Sequence, residues 1–169
     1  MKSKAIALSS LFGIVISTQK VFLPPPYDKV ISIFLQLVFL SLSFLMVGFI
    51  GPILTGFISG LVTATVRFEL GFMTFTFALI YGILVSALNR SLKVLNSGRI
   101  IKLRWIISSL ASTVFIGILS LGASIALGLI PYNPVLITVI MSAGAIQGLF
   151  GGIFSFLIWE RYLHSMRFA

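Results

Sequence analysis

The chain has 169 residues, of which 59% are hydrophobic and only 9% charged, with a mean hydropathy of +1.17. Charged residues normally make up about 25% of a soluble domain, so a soluble globule of this length is excluded and no separate soluble domain fits beside the apolar segments. The formal net charge of +9 does not imply nucleic acid, because the basic residues sit at the edges of apolar runs and form no aromatic-interleaved basic surface.

The first apolar run covers Ala5 to Gln19, preceded by Lys2 and Lys4. It reads as a retained first span over 5–20, with a cleaved signal peptide ending near Val15-Ile16-Ser17 as the alternative. VFLPPPYDKV (21–30) is a turn, because its three prolines lack the N–H a helix needs, and Asp28 is placed to cap the next helix. An uncharged run then extends from Val30 to Val66, too long for one simple crossing of about 20 residues. Gly51-Pro52 divides it into spans over 30–49 and 51–66, with proline tolerated in the first turn of the second. Arg67-Phe68-Glu69 interrupts the pattern before a fourth span over 70–89. Arg90 to Arg104 is a polar connector. The fifth span covers 105–130, PYNP (131–134) is a short turn, and the sixth span covers 135–159 ahead of Glu160, Arg161, His164 and Arg167.

The expected fold is therefore all-α and integral to the membrane: a single domain of six transmembrane helices in a compact bundle. With six crossings, nine basic residues fall on one side and three (Lys20, Lys29, Arg67) on the other. Basic loops are retained in the cytoplasm, so both termini and the 90–104 connector are expected inside a cell membrane crossed several times.

Without a hydrophobic force between helices in lipid, association relies on close contact, which small residues four apart permit. Such ladders occur at Ala5, Ser9, Gly13 and Ser17, at Gly56, Gly60 and Ala64, and at Gly144, Gly148 and Gly152. Packing within one bundle is one reading of each; a partner-binding face is the other, and it suits the first helix best because the ladder runs its full length.

No ionisable residue lies deep in a span, which argues against a proton relay or a charged ion filter. The neutral polar residues are Gln147 and Tyr81, midway along the sixth and fourth spans, with Gln19 and Gln36 in the outer parts of the first and second. Arg67, Glu69, Tyr132 and Asn133 lie at the outer mouth, where interface anchoring competes with ligand contact for Arg67 and Glu69. A buried amide costs a few kcal/mol unless bonded, so Gln147 needs a partner, either a serine such as Ser120 or Ser124 or a ligand. The single histidine lies in the tail, the three acids are dispersed and there is no cysteine; no catalytic set, metal site or phosphate loop can be assembled, and no enzyme activity or cofactor is expected.

Taken together, the length, six short-looped helices, internal termini and proline-rich first outer loop resemble the substrate-binding S components of energy-coupling factor (ECF) transporters. VGFIGPILTGFISGL (47–61) looks like the G-P-x-x-G-x-x-x-G hairpin between their second and third helices, and Ala5, Ser9 and Gly13 look like their A-x-x-x-A-type docking surface. The resemblance implies a protein that captures a vitamin or vitamin precursor in an outward cavity, then works with a transmembrane coupling subunit and ATPase subunits. It implies solute contacts from Tyr81, Asn133 and Gln147, with Pro24 to Tyr27 as a cap; Gln36, Arg67 and Glu69 are further candidates. Residues 1–3 are Met-Lys-Ser, without the Met-His start of the nickel and cobalt members, which disfavours a metal substrate. The alternatives are a self-sufficient oligomeric transporter or channel for a small neutral solute and, less well supported without clustered acids or histidines, a membrane enzyme acting on lipids or isoprenoids.

Overall fold

The structure, a computed structural model, describes residues 2–22, 27–66, 71–96 and 99–163. These residues form six α-helices: α1 (Lys2–Phe22), α2 (Tyr27–Val47), α3 (Ile50–Val66), α4 (Gly71–Ser91), α5 (Lys102–Ala126) and α6 (Pro134–Ile158). A π-helical turn, Trp159–Leu163, extends α6. Two short strands, β1 (Leu95–Asn96) and β2 (Arg99–Ile100), pair antiparallel between α4 and α5, with Leu95 opposite Ile100.

Three helix ends are set by a residue in the left-handed backbone region. α2 stops at Val47 because Gly48 takes φ +89, a conformation that glycine adopts without steric penalty. Reversal therefore comes three residues ahead of Gly51, and Gly51 and Pro52 instead occupy the first turn of α3. At the end of α5, Gly128 has φ +69; its N–H bonds to Ile125 O at 3.0 Å, and Leu129 N–H bonds to Ser124 O at 2.9 Å. That is the Schellman arrangement, which satisfies carbonyls left over at a helix C-terminus. It ends α5 four residues before the expected Ile130, since an apolar run conceals a terminating glycine from hydropathy. The end of α4 uses the same pair of bonds, Lys93 N–H to Arg90 O and Val94 N–H to Asn89 O, both 3.1 Å, but the left-handed residue is Lys93 at φ +46.

The helix neighbours run α1–α3–α4–α5–α6 around α2, which touches α1, α3 and α6 and, more lightly, α4 and α5. From Gln36 to Met46 only Phe39 of α2 is not buried, as expected of a helix apolar on every side. The tightest contact is α3 on α4. A methyl group placed on Gly56 would lie 2.5 Å from Ala78 O, one on Gly60 would lie 3.0 Å from the Phe75 Cα, and one on Gly82 would meet the Pro52 carbonyl. The two backbones touch, which is what small residues four apart allow. At the end holding the strands, Trp105 is fully buried and donates its Nε1–H to Gly152 O at 2.9 Å, tying α5 to α6. Val94, with no exposed surface, packs into the same cluster as Trp105, Trp159 and Phe44. The 90–104 connector is thus a folded, partly buried element, not a plain loop.

Among the described residues, α4, α5 and α6 with its π turn are long and apolar enough to cross a membrane; the apolar stretches Ile31–Val47 and Ile50–Val66 are shorter. Large apolar side chains face outward along the helices, among them Phe72, Val135 and Ile146. Soluble monomers do not present apolar surface on this scale. Outward hydroxyls are satisfied locally: Thr18, Thr76, Thr138 and Ser142 each donate to the carbonyl four residues earlier. Such a surface is compatible with a lipid-embedded protein, where water does not provide a partner.

Candidate functional site

Polar side chains meet at mid-length of α4 and α5, and α6 packs on α5 at the same level. Tyr81 on α4 is 2% exposed, and its hydroxyl is 2.9 Å from the Thr113 Oγ1 on α5. The single Thr113 hydroxyl proton goes to Ser109 O at 2.9 Å, so the phenol donates and Thr113 accepts. A methyl group on Gly148 of α6 would lie 3.0 Å from the Thr113 Cβ, which puts the adjoining Gln147 at this level.

The glycine ladder of α6 shows how closely that helix meets α5. Gly152 and Gly148 lie against Ser109 and Thr113, with methyl groups there coming within 2.8 and 3.0 Å. Gly144, one turn further on the same face, has nothing within 4 Å, and a methyl group on Gly117 of α5 would meet only the Met141 Sδ, at 3.7 Å. Packing is close toward the strand end and thins beyond Gln147. The Oε1 of Gln147 is buried at this transition without a hydrogen-bond partner. The expected serine partners are engaged elsewhere: Ser120 donates to Gly117 O and Ser124 to Ser120 O on their own helix. A buried, unpaired amide oxygen costs about 1–3 kcal/mol, so the position is unfavourable unless something supplies a donor.

The other candidates are more scattered. Gln36 is buried at mid-length of α2, 7% exposed, and Gly151, one turn after Gln147, faces its neighbour Leu37. Asn133 caps α6: its Oδ1 accepts from Val135 N at 3.0 Å and Leu136 N at 3.4 Å. That leaves only its amide N–H groups for a solute. Tyr27 opens α2, but its side chain, together with Arg67, Glu69 and the prolines of the expected cap, lies outside the described residues. Thr113, which sequence reading did not single out, belongs with Tyr81; one threonine among many in apolar helices carries no signal until its partner is known.

The ladder on α1 is used inside the chain. Ser9 is fully buried with its Oγ 3.4 Å from the Ser43 Oγ, a methyl group on Gly13 would lie 2.9 Å from Ile58, and the Ser17 hydroxyl is shared between Gly13 O at 2.9 Å and Ser59 O at 3.0 Å. Ala5 is half-buried. Ser9, Gly13 and Ser17 therefore hold α1 against α2 and α3, and the exposed large apolar side chains of α1 include Ile6, Leu11, Ile14 and Val15.

Among the described residues no group of histidine, cysteine or acidic side chains is placed to hold a metal. Comparison of the chain with protein-family models, with curated proteins and with solved structures finds no match, so the likeness to ECF S components rests on the sequence features described above.

Proposed function

We propose that the chain crosses the membrane six times with both termini in the cytoplasm, and that it is the substrate-capture subunit of an ATP-driven importer of the ECF type. Its solute, a vitamin or vitamin precursor, enters from outside between the outer halves of α4, α5 and α6. The observation that carries this reading is Gln147: a buried amide oxygen with no partner, placed where α6 loses close contact with α5. The Tyr81–Thr113 pair forms the polar floor at the same depth. Ligand sites of this kind combine apolar walls with a few polar groups that fix orientation. The excess of basic residues on the strand-bearing side supports the orientation. Docking on the coupling subunit falls to the exposed apolar face of α1, since its small residues are occupied internally.

The test is thermal unfolding of the purified protein in mild detergent against a panel of water-soluble vitamins and their precursors. A solute bound by the native state stabilises it by mass action, by about 2.7 kcal/mol at one hundred times Kd, and so raises the melting temperature. Binding of one compound, without uptake into liposomes by the protein alone, is the expected result. Uptake without partners or ATP would instead make it a self-sufficient carrier, and a panel with no shift would remove the solute-capture reading.

A further inference from the structure

At the strand-bearing end, opposite the proposed solute site, a cavity of about 580 Å³ is lined by Asn89, Arg90, Lys93, Asn96 and Arg104 together with apolar side chains. Three of these residues are cations, and among the described residues no carboxylate is in the lining. Positive charge concentrated in a recess without a counter-charge attracts an anion.

The cations are held in place. The Arg90 guanidinium sits over the Phe49 ring at 5.3 Å. Arg104 reaches the carbonyls of Leu92 and Lys93 at 3.4 and 3.5 Å. Lys93 is the left-handed residue that ends α4, at the position where a Schellman turn ordinarily carries glycine. Backbone strain of this kind is retained where the surroundings use it, and here it places an ammonium on the cavity wall.

Besides the cations, two asparagines line the cavity, the exposed Asn96 and the buried Asn89. Asn89 is 2% exposed, and its Oδ1 has no hydrogen-bond partner. An amide oxygen accepts, so Asn89 is placed to take a hydroxyl or N–H lying beside the negative charge of an occupant. The apolar walls from Phe44, Phe49 and Leu95 leave room for much more than an inorganic anion.

We infer that this cavity binds a phosphate ester, with Arg90, Lys93 and Arg104 around the phosphate and Asn89 accepting from a neighbouring hydroxyl or N–H. Arginine suits phosphate because its fork of donors matches the oxygens, and lysine adds a point charge. The phosphate can belong to an anionic lipid headgroup at the membrane surface or to a soluble phosphate ester. Neither source depends on the solute bound at the other end.

The test uses the full chain and two variants, Lys93→Gly and Arg90→Gln. Lys93→Gly removes the ammonium and gives the left-handed position its preferred residue, so its fold should be at least as stable as that of the parent. Loss of binding by this variant cannot then be ascribed to unfolding. Two probes separate the sources. Lipids retained through purification are measured by native mass spectrometry after reconstitution in equal mixtures of phosphatidylglycerol and phosphatidylcholine, and glycerol phosphate is titrated at constant ionic strength while melting is followed. Preferential retention of phosphatidylglycerol that falls by roughly tenfold in each variant assigns the cavity to a headgroup; one charge-assisted bond has about that weight. A melting shift with glycerol phosphate, weakened by the same factor and without lipid preference, assigns it to a soluble ester. No preference and no shift, or responses unchanged in both variants, would overturn the inference.

Discussion

The close contact of α3 and α4 gives a prediction whose sign depends on position. Gly56→Ala places a methyl group 2.5 Å from Ala78 O, about 0.9 Å inside the 3.4 Å at which ordinary contact begins. The obstacle is backbone carbonyl, so no side chain can turn away and the helices must separate. Separation also loosens Gly60 against Phe75 and Gly82 against Pro52 along the same seam. A gap of 0.5–1 Å forfeits roughly a quarter to a half of each dispersion contact, and overpacking alone costs about 1–3 kcal/mol. Better helix propensity returns only about 0.5–1 kcal/mol, so Gly56→Ala should destabilise by about 1–2 kcal/mol. Gly122→Ala has nothing within 4 Å of the added carbon and should be neutral or slightly stabilising. Both follow from denaturant unfolding in mild detergent, read by the fluorescence of Trp105 and Trp159, which are 0% and 7% exposed. Equal stability of the two variants, or a greater loss with Gly122→Ala, would show that α3 and α4 do not meet through their backbones.

Gln147→Leu removes a buried oxygen that has no partner; it should raise stability by roughly 1–3 kcal/mol while abolishing the vitamin-induced melting shift, so a destabilised variant that still responds to the solute would count against the proposed site. Trp105→Phe deletes the donor to Gly152 O and Ser155 Oγ and leaves a void at a fully buried site. It should cost roughly 1 kcal/mol for the bond plus the packing loss in the same unfolding assay, and a neutral substitution would show that Trp105 is not packed between α5 and α6. The chain has no cysteine, so Arg99→Cys and Tyr132→Cys provide single labelling points on exposed residues; an impermeant maleimide should reach them from opposite faces of the membrane, and labelling from one face would end the six-crossing layout.

Helix number and approximate positions were legible because apolar length and charge placement govern both. The helix ends were less so. Hydropathy carries α2 to Phe49 and α5 to Ile130, whereas left-handed turns at Gly48 and Gly128 stop them at Val47 and Ala126. Glycine is itself common in apolar spans, and its φ is not written in the pattern. The small-residue ladders announced close packing but not the partner: the α1 ladder answers Ser43, Ile58 and Ser59 within the chain, although its spacing alone fitted a foreign helix equally well. The connector between α4 and α5 misled in the opposite direction. Its charges hid Val94, which is completely buried, and a cavity wall built from residues far apart in sequence.

Three of the local choices that run against stability fall at the two candidate sites. Asn89 and Gln147 each bury an amide oxygen without a partner, and Lys93 holds a backbone conformation that would suit glycine better. Many other polar groups are bonded internally, as with Thr55 to Ser43, Ser86 to Phe49 O and Trp105 to Gly152 O, although the Oγ atoms of Ser32, Ser41, Ser59 and Ser108 are also buried without a partner. Where propensity, packing and polar satisfaction agree, a sequence is specifying structure; where they conflict, the conflict marks a position retained for another purpose. Asn89 and Lys93 share a cavity at the basic end, while Gln147 lies where α6 parts from α5. The glycine seams and the Trp105 bond hold the helices between these sites rigidly, so each open end can be altered without dissolving the other. A variant at Lys93 should therefore leave the response at Gln147 intact, and the reverse should hold, because residues far apart with no shared partner contribute additively. Coupling between them above about 0.5 kcal/mol would mean that the intervening helices move as a switch instead of serving as a frame.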